Sequence, residues 1–318
     1  MITLYEFHWS HYCEKVKLAL NYMELPWQAV SVDPFHKQIL QKHKLPKQLP
    51  AYTVPSILDS QTDQFTMDST PVLRYLAETY PDSPRLFPGD RANRAEIDTR
   101  LLEFDSMLAI PSRRMGYTQL ILESPDHLSE LFFSHRANGF FCLPGIRHLS
   151  GAAMGLLLTK RFEFYRSEEL GLYEGLEEYL VDLASQLDTR PYVVGESFSA
   201  ADLALAAQIR PLVIVPFFYE HPKLQGLFER HHNVVDKWSD GLPLTYQIAI
   251  AKAREKRPPM RRKIVKHNPS LPFKPRSKAA VNDQKSVITW ASLITPYHYL
   301  ISLRRNKVRM AEASAEVR

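Results

Sequence analysis

The sequence predicts an α/β amino-terminal domain followed by an all-helical domain, and three observations carry that prediction. Residues 2–67 alternate short apolar runs with a helical pattern and end on Asp68-Ser69-Thr70-Pro71, a helix opening. Pro84 to Asp90, with Pro88 and Gly89 inside it, reads as a linker. Beyond the linker, apolar residues recur at spacings of three and four, and no convincing strand pattern interrupts them. The expected boundaries are 1–83 for the first domain, 84–90 for the linker, 91–250 for the helical domain and 251–318 for a basic extension, partly disordered or docked on the surface. A chain of 318 residues has room for two such domains and a remainder.

Taken in order, ITLYEF at 2–7 is a short strand with Ile2 and Leu4 on one face. It runs into Ser10-His11-Tyr12-Cys13, where Ser10 is a favoured N-cap, and then a helix whose Val16, Ala19, Leu20 and Met23 form one apolar stripe ended by Pro26. WQAVSV at 27–32 is a second strand. A polar stretch with His36, Lys37, Lys42, His43 and Lys44 precedes a third strand, Thr53-Val54-Pro55-Ser56-Ile57-Leu58, in which proline is tolerated only near the start or at an edge. Gln64-Phe65-Thr66-Met67 pairs back as the last strand, and a helix follows with Val72, Leu73, Leu76 and Tyr80 on its buried face and Pro81 as its stop.

In the helical domain, Ile97, Leu101, Phe104 and Leu108 describe one long amphipathic helix, and Leu172, Leu176, Tyr179, Leu183 and Leu187 another. Ser199-Ala-Ala-Asp202 is a capping box, with Phe198 placed to staple onto Leu203, and its role is folding rather than catalysis. The stretch 113–150 is less regular. Its Phe132, Phe133, Phe140, Phe141 and Cys142 form either plain core or the wall of an apolar second-substrate pocket, to which Arg113, Arg114 and Tyr117 are further candidates.

Ser10-x-x-Cys13 after the first strand, Val54-Pro55 before the third and Asp68-Ser69 before the next helix together resemble the amino-terminal domain of cytosolic glutathione transferases, most closely a bacterial-type branch with a Ser-x-x-Cys motif. YVVGESFSAADLALAA at 192–207 resembles the capping region of a helix in that family's second domain. The resemblance covers about residues 1–245 and rests on the order and spacing of the motifs. It implies a thioredoxin-like domain that holds glutathione, joined to an all-α domain, with no metal, and it implies a homodimer in the cytoplasm with a detoxifying role. Glutathione is anionic, and its thiol ionises near neutral pH only with local help, which a helix N-terminus supplies. Ser10 is then the first choice for catalysis by donating to the thiolate; capping alone also accounts for a serine there. Cys13 has two readings, a nucleophile for thiol-transfer chemistry or a small buried side chain. Pro55 is implied to follow a cis bond that lets Val54 pair with the cysteinyl backbone of glutathione. Asp68 and Ser69 are implied to bind the γ-glutamyl end; an ordinary helix cap predicts the same local geometry. The expected activity is conjugation of glutathione to an apolar electrophilic small molecule. Its rivals are a Cys13-dependent thiol transferase and a non-catalytic scaffold of the same fold.

Charge divides the chain sharply. Residues 1–251 hold 23 Lys+Arg against 31 Asp+Glu, a net of −8, whereas 252–318 holds 17 against 4, a net of +13, so the basic pI of about 9.0 comes from the tail. A negative body repels phosphates, which argues against nucleic acid as a partner. Two cysteines cannot build a disulfide framework, and the start, MITLYEF, has neither a basic n-region nor a long apolar run, so a cytoplasmic protein is expected. Within the tail, Ser286 to Leu303 carries no charge, but Pro296, His298 and several Ser and Thr make it a poor spanning segment; weak contact with a membrane surface ranks above insertion.

Overall fold

The computed structural model describes residues 1–32, 53–123, 125–133, 140–162, 166–239, 247 and 251. The basic loop with His36, Lys37, Lys42, His43 and Lys44 and the tail 252–318 lie outside the described residues. Four strands, β1 (Ile2–Glu6), β2 (Trp27–Ser31), β3 (Ser56–Asp59) and β4 (Gln64–Met67), form one sheet in the order β2-β1-β3-β4. β1 runs parallel to β2 and antiparallel to β3, with Tyr5 opposite Ser56, and β4 returns antiparallel to β3. A parallel pair needs a crossover, and helix α1 (His11–Tyr22) supplies it between β1 and β2. This is a thioredoxin-like mixed sheet, with α1 and α2 (Ser69–Thr79) as its helices among the described residues. The third strand starts at Ser56 and not at Thr53, because Pro55 has no amide hydrogen to place in the ladder.

The second part of the chain is helical: α3 (Arg91–Glu103), α4 (Ala109–Glu123), α5 (Pro125–Phe133), α6 (Ile146–Phe162), α7 (Arg166–Leu187), α8 (Ala200–Ile209), α9 (Pro216–Tyr219) and α10 (Gln225–Trp238). Ile97, Leu101, Phe104 and Leu108 are all fully buried, as their spacing predicts. The helix they define is not continuous, however. A π-helical turn, Phe104–Leu108, separates α3 from α4 and adds a residue to the turn, which rotates Asp105 toward the first domain. On α7, Leu176, Leu183 and Leu187 are buried and Tyr179 donates to Glu103 at 2.9 Å; the Leu172 side chain lies outside the described residues.

Every residue of α8 is buried, so this helix is the centre of the molecule and packs against α1, α3 and α10. Its capping box is formed as the sequence predicts: Asp202 accepts from the Ser199 amide at 2.9 Å and from the Val193 amide at 2.8 Å, and Ser199 Oγ accepts from the Ala201 amide at 3.3 Å. Phe198 packs among Tyr22, Tyr192 and Trp238, with its ring 4.5 Å from that of Trp238.

Candidate functional site

The site is built where β1 ends and α1 begins. Ser10 caps α1 with extended backbone, its Oγ accepting from the Cys13 amide at 3.3 Å, and its side chain is half-buried. Cys13, one turn on, is fully buried among Tyr5, Val32 and Val54. Burial pushes its thiol up to about 12; a hydrogen bond with Ser10 pulls the other way, and the nearby Glu6 carboxylate adds to the rise. A thiol held there is protonated at neutral pH. His11 is also buried, its ring bonded to the Ala109 carbonyl. Burial, with the charges of Arg113, Arg210 and Lys15, holds its imidazole well below the ordinary range and so neutral.

The two other predicted elements meet beside this turn. The Val54–Pro55 bond is cis, as the resemblance implies, and the Pro55 carbonyl accepts from the Asp68 amide at 3.0 Å. Asp68 caps α2 in the left-handed region, φ +73°, with a carboxylate oxygen accepting from the Ser69 amide at 2.6 Å. Burial, and then repulsion from the Asp105 carboxylate, pushes the Asp68 carboxyl up to about 7; Lys15 and Ser69 oppose that rise. Ser69 itself is fully buried.

Behind Asp68 and Ser69 lies a polar hub that sequence reading missed. Lys15, fully buried on α1, donates to Thr70 Oγ1 at 2.7 Å and to the two Asp105 carboxylate oxygens at 3.1 and 3.3 Å. Thr70 donates to Asp105 at 2.7 Å, and the Gln208 amide of α8 donates to the same carboxylate. A second buried pair joins Arg210 to Glu14 at 2.7 Å, with Ser239 completing the Glu14 carboxylate at 2.7 Å. The available signal was the adjacent Glu14-Lys15 on a helix with an apolar stripe, and Asp105 set between Phe104 and Leu108.

An aromatic wall adjoins Ser10. Trp9 is stacked on Phe7 at 5.6 Å and tilted against Phe132 of α5 at 5.2 Å, and Tyr117 of α4 lies 6.3 Å from Phe132. Of the expected pocket wall, the structure brings Phe132 and Tyr117 here; Phe140 and Phe141 are exposed, Cys142 lies against the Ser129 carbonyl, and the Phe133 side chain is outside the described residues. A separate open cleft of about 430 Å³, lined by Arg74, Glu78, Tyr80, Arg85, Arg94 and Asp98 among others, contains none of the predicted site residues. Among the described residues no group of three or more His, Cys, Asp or Glu is placed to hold a metal.

Comparison with known proteins adds relatives to this geometry. Residues 4–84 match the family model of the glutathione S-transferase N-terminal domain. The glutathione S-transferase-like protein ustS of Aspergillus flavus is 37% identical over 101 residues, which are 27% of this chain and 34% of that protein, so the match spans about a third of that relative's length. Glutathione S-transferase 1 of Manduca sexta is 25% identical over 237 residues, 72% of this chain and 87% of that protein. Among solved structures, glutathione S-transferase unclassified 2 from Bombyx mori superposes with a TM-score of 0.53 at 19% identity, covering 80% of this chain and 97% of that one. The epsilon-class enzyme of the housefly, Musca domestica, gives 0.51 at 17%, covering 80% and 98%. At these identities the structural matches speak to fold alone.

Proposed function

We propose that the chain, whose residues 4–84 match the glutathione S-transferase N-terminal domain, belongs to the cytosolic glutathione transferase superfamily, and that it binds glutathione and transfers it to an electrophilic, apolar small molecule. The observation that carries this reading is the half-buried Ser10 hydroxyl at the opening turn of α1, beside a cis Val54–Pro55 bond whose carbonyl is tied to Asp68. In this reading the glutathione sulfur lies against that turn. A free thiol ionises at about 8.5, and the amides and dipole of a helix N-terminus, with a hydroxyl donor, lower that value. The thiol proton leaves to water. The thiolate attacks the electrophilic carbon, a C–S bond forms, and the displaced group departs with its electron pair; in an addition the electrons move onto the acceptor instead.

The rest of the tripeptide finds a partner for its cysteinyl backbone and for both charges of its γ-glutamyl end. The Val54 backbone pairs with the cysteinyl unit, the Asp68 carboxylate receives the γ-glutamyl ammonium, and the Ser69 amide and hydroxyl receive its carboxylate. Trp9, Tyr117 and Phe132 offer an apolar wall to the acceptor. Burial of Cys13 favours Ser10 over Cys13 as the residue meeting sulfur, because thiol exchange needs an accessible thiolate. The reading carries with it a homodimer, a cytoplasmic setting and a detoxifying role; light scattering on the purified chain tests the dimer.

Steady-state kinetics with glutathione and a chromogenic electrophile test the activity. Ser10→Ala is expected to lower kcat/KM by about 100-fold, the scale of removing one donor to a developing anion, while Cys13→Ala leaves conjugation nearly unchanged. Equal rates in wild type and Ser10→Ala remove Ser10 from the chemistry, and loss of activity confined to Cys13→Ala moves it to the thiol.

A further inference from the structure

Helix α6 is apolar on both sides. Its inner face, Gly151, Met154, Gly155 and Leu158, is buried, and the missing side chain of Gly155 lets the helix approach Ile121 and Leu128 at 3.4 and 3.7 Å from its Cβ position. Its outer face is a stripe of Leu149, Ala152, Ala153, Leu156 and Leu157 at spacings of three and four, and the three leucines are 72%, 74% and 59% exposed. Phe140, Phe141 and Leu143, just before the helix, are exposed too, at 53%, 39% and 48%. Scattered exposed leucines need no explanation, but a contiguous apolar stripe does, since a helix apolar all round is ordinarily covered on all sides.

We propose that the outer face of α6 docks on an anionic lipid surface. Charge decides between the possible covers. Residues 131–162 contain no Asp or Glu, and they include Arg136, Arg147, Lys160 and Arg161. Arg147 is paired with Glu130 at 3.8 Å; the other three cations keep the segment cationic by sequence. A second copy would bring the same cations against one another. The tail, at +13, would do the same if it folded back. An anionic bilayer complements both the helix and the tail, and it buries the leucines at the headgroup boundary. The net of −8 on residues 1–251 argues against a general phosphate-binding surface on the body, but it does not decide the sign at one face, because charges further away than about 8 Å are screened at physiological salt. The helix lies on the surface and does not cross it; among the described residues no helix is long and apolar enough to span a membrane. The inference is independent of the proposed chemistry.

Co-sedimentation of the full chain with vesicles of phosphatidylcholine, with and without phosphatidylserine, tests it against the triple variant Leu149→Ser, Leu156→Ser, Leu157→Ser, whose solvent-facing positions leave the fold intact by circular dichroism. The wild type is expected to sediment with the phosphatidylserine vesicles and be released by salt, and the variant to bind about tenfold more weakly or less. Three results overturn the proposal: no sedimentation of the wild type; equal sedimentation of the variant, which would assign binding to the tail alone; or a variant whose only change is a smaller oligomer by light scattering, which would make a second copy the occupant. Turnover with glutathione should be the same in both proteins.

Discussion

At the residue scale, Ser10, Cys13, Val54, Pro55, Asp68 and Ser69 lie at the ends of β1 and β4, the entry to β3 and the openings of α1 and α2, with Cys13 packed on Val54 and Pro55 tied to Asp68. Asp68 gives a pH prediction whose sign follows from its raised carboxyl, about 7 in the fold against 3.8 for an ordinary Asp. The folded state holds this proton more tightly than the unfolded chain, so the residue costs stability as pH rises from about 4 through 7. Asp68→Asn is therefore expected to raise the melting temperature at pH 8 relative to wild type. If the carboxylate receives an ammonium, the same variant weakens glutathione binding, and wild-type affinity declines as pH falls below 7. Calorimetric titration across pH 6 to 8 checks both; a pH-independent affinity shared by the two proteins contradicts the assignment. These six positions were legible in the sequence because each sits at a chain turn that a cap, a proline or a short polar pair announces. The exposures of Ser10 and Cys13 were not, since the N-cap and third-position residues share one face of the first turn, where Ser10 Oγ accepts from the Cys13 amide, and only packing shows which of the two is covered.

At the element scale, α1 reads in the sequence as an ordinary one-stripe amphipathic helix, yet its charged residues Glu14 and Lys15 are buried as well. Period alone cannot reveal a helix sandwiched between a sheet and a second domain, because the partners that neutralise its polar side, Asp105 and Arg210, lie 90 and 196 residues away. The pair Glu14–Arg210 gives the sharper test. Glu14→Gln leaves a guanidinium buried without its counter-charge and is expected to cost about 3–5 kcal/mol in chemical unfolding, whereas replacing both by Met is expected to cost far less. The break at Phe104–Leu108 likewise escaped the spacing, since Phe104 and Leu108 are buried across the π turn as they would be in a straight helix. The capping box of α8 was legible in full, being a local code. Ser199→Ala is expected to lower stability by about 1 kcal/mol, read from the same unfolding curves.

At the scale of the whole molecule, one buried cluster runs from Ile2 and Leu4 through α1 and α8 to Val234, so the sheet and the helices share a core. Two histidines inside it set the acid limit of the fold. His231 is fully buried against the Ala206 carbonyl at 2.7 Å, and burial first of all pulls its imidazole down to about 3; His11 is depressed in the same direction. An unfolded histidine takes a proton near 6.5 and these do not. Stability is therefore complete above that pH and falls below it, by about 1.4 kcal/mol per pH unit for each such histidine. Unfolding curves from pH 7 to 5 should show that slope in the wild type and a shallower one in His231→Phe. The fold class was legible because the succession of strands and helices and the cap are written locally, whereas the sheet order β2-β1-β3-β4 was not read from the sequence and the α5–α6 pair was legible only as an irregular stretch with clustered phenylalanines. The central claim, that the opening turn of α1 ionises a bound thiol with the help of Ser10, meets its most direct test in the ultraviolet absorbance of the glutathione thiolate, titrated on the protein against pH. The account predicts an apparent pKa for the bound thiol at least about one unit below the free value of about 8.5, returned toward it in Ser10→Ala; a bound thiol that titrates like free glutathione in the wild type, or identically in both proteins, contradicts it.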